Sequence, residues 1–168
     1  MRALLLFVAS LPLAVAAQAV REHPSAAHSS VVIVHNGSDI ADAADSITIA
    51  IAVCDAAGRP IANLPVRIEV SGSRNWITPS ATTFTDANGV LIANLTSTTA
   101  ETKSITVIAK AGPEEVVLHD RPSVTFRAGP AVRFEIVHAS RDTTVVVAWD
   151  FFGNFAGSVT LDASNREQ

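Results

Sequence analysis

A single cysteine, Cys54, cannot close an intrachain disulfide, so core packing must hold this chain together without a covalent staple. Nothing cationic sits beside Cys54, which reads as a buried, inert thiol. Clusters of Lys and Arg are missing too, and the formal net charge is −4. An acidic chain without a basic stripe is a poor match for nucleic acid or anionic lipid, which both need cations to replace counterions. No apolar run reaches the roughly 20 residues of a membrane-spanning helix. There is no glycine-rich phosphate loop, no Gly-x-Ser-x-Gly elbow and, past the N-terminal segment, no helical periodicity. Neither an enzyme nor a cofactor site is expected.

The longest apolar stretch lies at the N-terminus. Met1-Arg2 supplies a positive start, Ala3 to Ala16 is apolar but for Ser10 and Pro12, and Ala17-Gln18-Ala19 is a small-x-small cleavage site. This is the pattern of a Sec-type export signal over residues 1–19, and it predicts a secreted, cell-surface or periplasmic protein. Residues 20–30, polar and rich in small side chains, read as a flexible lead-in.

Beyond the lead-in, apolar and polar or small residues alternate. Ile47, Ile49, Ile51 and Val53 are separated by Thr48, Ala50 and Ala52, and Val66, Ile68 and Val70 by Arg67 and Glu69. The same holds for Leu91, Ala93 and Leu95, for Ile105, Val107 and Ala109, and for Val124 and Phe126. A period of two sends successive side chains to opposite faces of a strand, so each segment has one face to bury. Between them stand turn clusters such as Gly58-Arg59-Pro60, Ser71-Gly72-Ser73, Asp86-Ala87-Asn88-Gly89 and Ala111-Gly112-Pro113. Short strands at this spacing predict an all-β sandwich of immunoglobulin-like size.

One signature occurs twice. Asp55-Ala56-Ala57-Gly58 recurs as Asp150-Phe151-Phe152-Gly153, and Ile33-Val34-His35 as Ile136-Val137-His138. Self-similarity at a period of roughly a hundred residues suits tandem small domains.

The segment Asp55-Ala-Ala-Gly58-Arg-Pro60 through Val66-Arg-Ile68-Glu-Val70 resembles the Asp-x-x-Gly-Asn-Pro…Val-x-Val core of group 1 bacterial immunoglobulin-like (Big-1) domains, the modules of invasins and intimins. Thr85-Asp86-Ala-Asn-Gly89 through Leu95 is similar to the next strand pair of that family, and Ile105-Thr-Val107 to the strand after it. The resemblance covers about residues 31–128. Residues 130–168 resemble the opening of another copy, with Asp150, Gly153 and Asn154 in register, and read as a truncated second repeat. The resemblance implies an exported structural or adhesive module, a spacer or cell-surface contact element, with protein or glycan as partner and no catalytic residues. A stand-alone secreted carbohydrate- or protein-binding domain is the alternative. Adhesins built from such modules usually carry an outer-membrane barrel and a terminal binding domain, and neither pattern occurs in these 168 residues.

Few side chains point to chemistry. His23, His28, His35, His119 and His138 show no i, i+2 or i, i+4 partner at metal spacing and read as solvated. Asp86-Ala87-Asn88-Gly89 has the look of a calcium-loop opening, but it lacks a distal acidic ligand, so a hairpin turn explains it. Glu114-Glu115, after Gly112-Pro113, reads as a solvated turn. Trp76, in an exposed loop from Ser71 to Pro79, is a candidate contact residue. So are Trp149, Phe151 and Phe152, in a tail that holds five of the nine aromatics yet is too short to enclose a core. Either the strands that cover those rings are missing, or residues 130–168 associate with another chain.

Overall fold

The computed structural model describes residues 23–35, 39–79 and 82–163. The export signal of residues 1–19 lies outside the described residues, as do residues 20–22 of the lead-in.

Nine strands build the first unit: β1 (Ser30–His35), β2 (Ile47–Ala52), β3 (Pro65–Val70), β4 (Asn75–Thr78), β5 (Thr82–Phe84), β6 (Val90–Ser97), β7 (Thr102–Ala111), β8 (Glu114–Val117) and β9 (Ser123–Thr125). One sheet has the order β1-β2-β6-β4; the other has the order β5-β3-β7-β8, with β9 also paired to β7. All these pairings are antiparallel. The result is an all-β immunoglobulin-like sandwich with no helix among the described strands and turns.

The alternating residues meet between the sheets. Ile47, Ile49, Ile51 and Val53 are fully buried, as are Val66, Ala93, Leu95, Ile105, Val107 and Ala109. Their strand neighbours Ile92 and Asn94 face solvent. Each buried Ile, Leu or Val contributes about 1.5–3 kcal/mol relative to an exposed position. This continuous cluster, extended by Leu118, Val124 and Phe126, holds the unit together without a disulfide.

Several local expectations are corrected. Residues 23–30 are tied down, because the Ser25 N–H donates to the Cys54 carbonyl and the Cys54 N–H to Ser29 Oγ at 3.1 Å. Cys54 itself is half-buried. The Asp86–Gly89 turn joins β5 to β6, which lie in different sheets, so it is a corner of the sandwich and not a hairpin. Glu114 and Glu115 sit on strand β8, paired with Ala111 and Lys110. A short, charged, exposed strand suits a sheet edge because it discourages further pairing. Trp76 lies on strand β4, opposite Thr96, and not in a loop. Its neighbour Ile77 packs on the core while Trp76 points outward, as alternation requires.

A third sheet completes the described fold: β10 (Arg133–Ala139), β11 (Thr143–Trp149) and β12 (Phe155–Asp162), with β11 central. The repeated tripeptide falls on a strand both times, Ile33 to His35 in β1 and Ile136 to His138 in β10. In β10 a bulge between Ile136 and His138 leaves Val137 out of the ladder. After Asp55 the chain crosses to the opposite sheet as β3, which pairs β5 and β7. After Asp150 it instead doubles back as β12 alongside β11, the place β6 takes beside β2.

Candidate functional site

Three turns in the chain share one geometry. In the first, Asp55 Oδ1 accepts the N–H of Ala57 and of Arg59, both at 2.9 Å, and the Asp55 carbonyl accepts the Gly58 N–H. In the second, Asp86 Oδ1 accepts Asn88 and Val90, both at 2.8 Å, and its carbonyl accepts Gly89. In the third, Asp150 Oδ1 accepts Phe152 and Asn154, at 2.9 and 2.8 Å, and its carbonyl accepts Gly153. Each turn is closed by a bond from the aspartate N–H to the carbonyl four residues on. Glycine closes all three because the backbone there has φ of +76, +71 and +85°, which costs L side chains energy. All three have the spacing Asp-x-x-Gly, and Asn88 takes in the second the place of Ala57 in the first and Phe152 in the third.

The carboxylates feel these donors. The Arg59 guanidinium, then the Arg59 and Ala57 N–H groups, hold Asp55 below the usual carboxylate value. The N–H groups of Val90 and Asn88 do the same for Asp86. Burial pushes Asp150 upward, but the bonds from Asn154, Gly129 and Phe152 outweigh it and the carboxyl sits low. A folded carboxyl that binds protons less readily than the unfolded one contributes stability above the ordinary value of 3.8 and loses it as pH falls through the lower folded value. The melting midpoint followed by circular dichroism should therefore be level down to about pH 5 and then drop with acid. Asp86→Asn keeps the Oδ1 acceptor and should flatten that drop; an acid profile identical to the parent would remove Asp86 from the explanation.

The third turn does more than reverse the chain. Asp150 Oδ2 accepts the Gly129 N–H at 3.0 Å, and Asn154 reaches the β6–β7 turn of the first unit. Its Oδ1 accepts the Ala100 N–H at 2.8 Å, and its Nδ2 donates to the Thr98 carbonyl at 3.1 Å and to Asp150 Oδ2 at 2.8 Å. In the first turn Arg59 has Asn154's position and folds back on its own Asp55 at 2.6 Å. Beside these bonds lies a cleft of about 360 Å³ lined by Ile40, Pro130, Val132, Phe151 and Phe152. The β6–β7 turn is braced from behind. Lys103 is fully buried, and its Nζ bonds Glu101 at 2.7 Å and the Ser73 carbonyl at 3.1 Å. In the sequence Asn154 is marked only as a turn residue in register with the repeated motif, with no sign of a bond to the first unit, and Lys103 is not marked at all, being a polar residue in an alternating strand.

The candidate contact residues are scattered. Trp76 is 51% exposed on the outer face of the first sheet. Trp149 ends β11, its ring edge-on to Phe155 at 5.9 Å, with the Arg133 guanidinium 5.6 Å from its centroid. Phe151 is 80% exposed, and Phe152, half-buried, meets it edge to face at 5.2 Å. Phe151 and Phe152 share the joint cleft; Trp76 is not part of it. Two histidines have carboxylate partners: His23 pairs with Glu114 at 2.5 Å and His35 with Asp39 at 2.7 Å, the second an i, i+4 pair that corrects the expectation that no histidine has such a partner. Among the described residues no group of three or more His, Cys, Asp or Glu could hold a metal. No described helix is long and apolar enough to cross a membrane.

The family model for the bacterial Ig-like domain (group 1) matches residues 29–127. No curated protein matches the chain. Among solved structures, the Escherichia coli adhesin FdeC superposes with a TM-score of 0.57 at 22% identity, over 81% of this chain and 45% of that one. Yersinia pseudotuberculosis InvD gives 0.55 at 16%, over 83% and 51%. Invasin, a bacterial integrin-binding protein, gives 0.54 at 22%, over 81% and 29%. The chain thus spans about half or less of the length of these neighbours, and at such identities the likeness is one of fold.

Proposed function

Because the chain belongs to the group 1 bacterial Ig-like family, we propose that it works as an exported structural module of the adhesive type, a spacer or contact element at the cell surface. The family match is the observation that carries this reading, and modules of this kind act by shape and spacing and not by catalysis. The Asp150–Asn154 joint supports it, since a spacer must fix one unit on the next. We read residues 31–128 as the Ig-like domain and residues 130–168 as a partial second copy; the tripeptide repeated on β1 and β10, with an Asp-x-x-Gly turn after β2 and after β11, supports that division. Fold by itself does not give function, and adhesion rests on kinship. Export rests on residues 1–19.

The test is where the protein ends up. Mass spectrometry of protein from intact producing cells should find a mature N-terminus at Val20, and protease added outside should cleave the chain. A product retained in the cytoplasm with Met1 to Ala19 attached would sink the proposal. Trp76, an exposed indole on a strand, favours one second reading, a recognition domain for protein or glycan. On arrays of immobilised proteins and glycans a spacer binds nothing specifically. A recognition domain binds, and Trp76→Ala should weaken that binding about tenfold or more.

A further inference from the structure

The third sheet has two unlike faces. The cross-strand register puts Phe134 and Ile136 of β10, Val146 and Ala148 of β11, and Val159 and Leu161 of β12 on one side. No charged residue shares that side. Arg133, Glu135, Thr160 and Asp162 lie on the other, where they flank Val145, Val147 and Trp149 of the central strand. The apolar side is open: Phe134 is 66% exposed, Ile136 63%, Val159 58% and Leu161 51%. Val132, also exposed, extends the row to the joint cleft. Together these side chains present about 600–700 Å² of contiguous apolar surface, above what a monomer usually leaves in water.

We propose that this face packs against the same face of a second copy of the chain, closing one sandwich from two half-sandwiches. Three observations select that occupant. The area fits, because two such faces would bury about 1,200–1,400 Å², the range of a specific dimer. The chemistry is self-complementary, as a two-fold interface requires, with apolar rows facing apolar rows and no charge to desolvate. Moreover, β10, β11 and β12 are ordered as β1, β2 and β6 are, so this layer matches the first sheet in all but its short edge strand β4. Another strand would leave its apolar side open, whereas a facing layer covers it, and aligned sheets about 10 Å apart are the standard way to supply one.

Sedimentation equilibrium of the purified protein should show a reversible monomer–dimer equilibrium. Val159→Asp should weaken association at least about 100-fold, since symmetry would bury two unpaired carboxylates. Thr160→Asp, on the opposite side of the same strand, should leave it unchanged. An unaltered circular dichroism spectrum for Val159→Asp keeps misfolding from imitating the result. In a Cys54→Ala background, Val146→Cys should cross-link through a short bismaleimide while Ser158→Cys should not. A single monomer mass at concentrations up to about 1 mM overturns the proposal, as that is the weakest association worth the name. Equal weakening by both aspartates, or association without the Val146→Cys cross-link, overturns it in favour of edge-to-edge strand pairing.

Discussion

Gly89→Ala should destabilise the protein by about 3–4 kcal/mol, against about 1 kcal/mol for Gly58→Ala, although the two glycines close the same kind of turn. Their φ angles are +71 and +76°, so the conformational cost of a Cβ is shared. The surroundings differ. A Cβ on Gly58 would meet nothing within 4 Å, whereas one on Gly89 would lie 2.8 Å from the Val53 carbonyl oxygen and 2.9 Å from both the Ile61 nitrogen and Pro60 Cβ. Two of these are backbone atoms bonded to each other, for the Ile61 N–H donates to the Val53 carbonyl at 2.9 Å. The Val53 N–H in turn donates to the Gly89 carbonyl, so the Asp55 and Asp86 turns are interlocked back to back. An added methyl must open that lock or push the turn out of the corner. Urea unfolding of the two variants beside the parent measures the gap. Equal losses would mean the lock yields freely and conformation alone sets the cost.

Much of this was legible in the chain because it is local or periodic. The alternation of Ile47, Ile49, Ile51 and Val53 names its own buried face, and Asp-x-x-Gly marks all three turns, the one at Asp86 being read as a hairpin. Strands β4, β5 and β8 were not legible. They have three or four residues, too few for a period to emerge, and as edge strands they carry Trp76, Glu114 and Glu115 where a central strand would carry Val or Ile. The joint was hidden for another reason. Asn154 reads as a turn residue because that is its local role, while its bonds to Thr98 and Ala100 cross more than fifty residues of sequence. No spacing rule reaches that far. The one hint is positional, since Asn154 stands where Arg59 stands in the first turn and the two side chains differ in what they can bond. A guanidinium only donates and closes on its own aspartate; a carboxamide donates and accepts, and so can serve an N–H and a carbonyl on a neighbouring unit.

That difference sets the order of effects at the joint. Asn154→Ala removes two hydrogen bonds to the first unit and one to Asp150, and should weaken the coupling of the third sheet to the sandwich by about 2–3 kcal/mol. Asn154→Asp should be worse. It keeps an acceptor for the Ala100 N–H but loses both donor bonds and sets a carboxylate where Nδ2 now lies 2.8 Å from Asp150 Oδ2. Acid should partly rescue Asn154→Asp and leave Asn154→Ala unmoved, because only the former carries a repulsion that protonation relieves. Residual dipolar couplings report the outcome directly. In the parent one alignment tensor should fit both the β1–β9 sandwich and the β10–β12 sheet; in the variants two tensors should be needed, most clearly for Asn154→Asp. The sandwich itself should melt as before, since none of its own ladder bonds is touched. If a single tensor still fits Asn154→Ala, the apolar side chains that line the cleft, Ile40, Val132 and Phe152, are enough to hold the units together, and the hydrogen bonds only choose the angle.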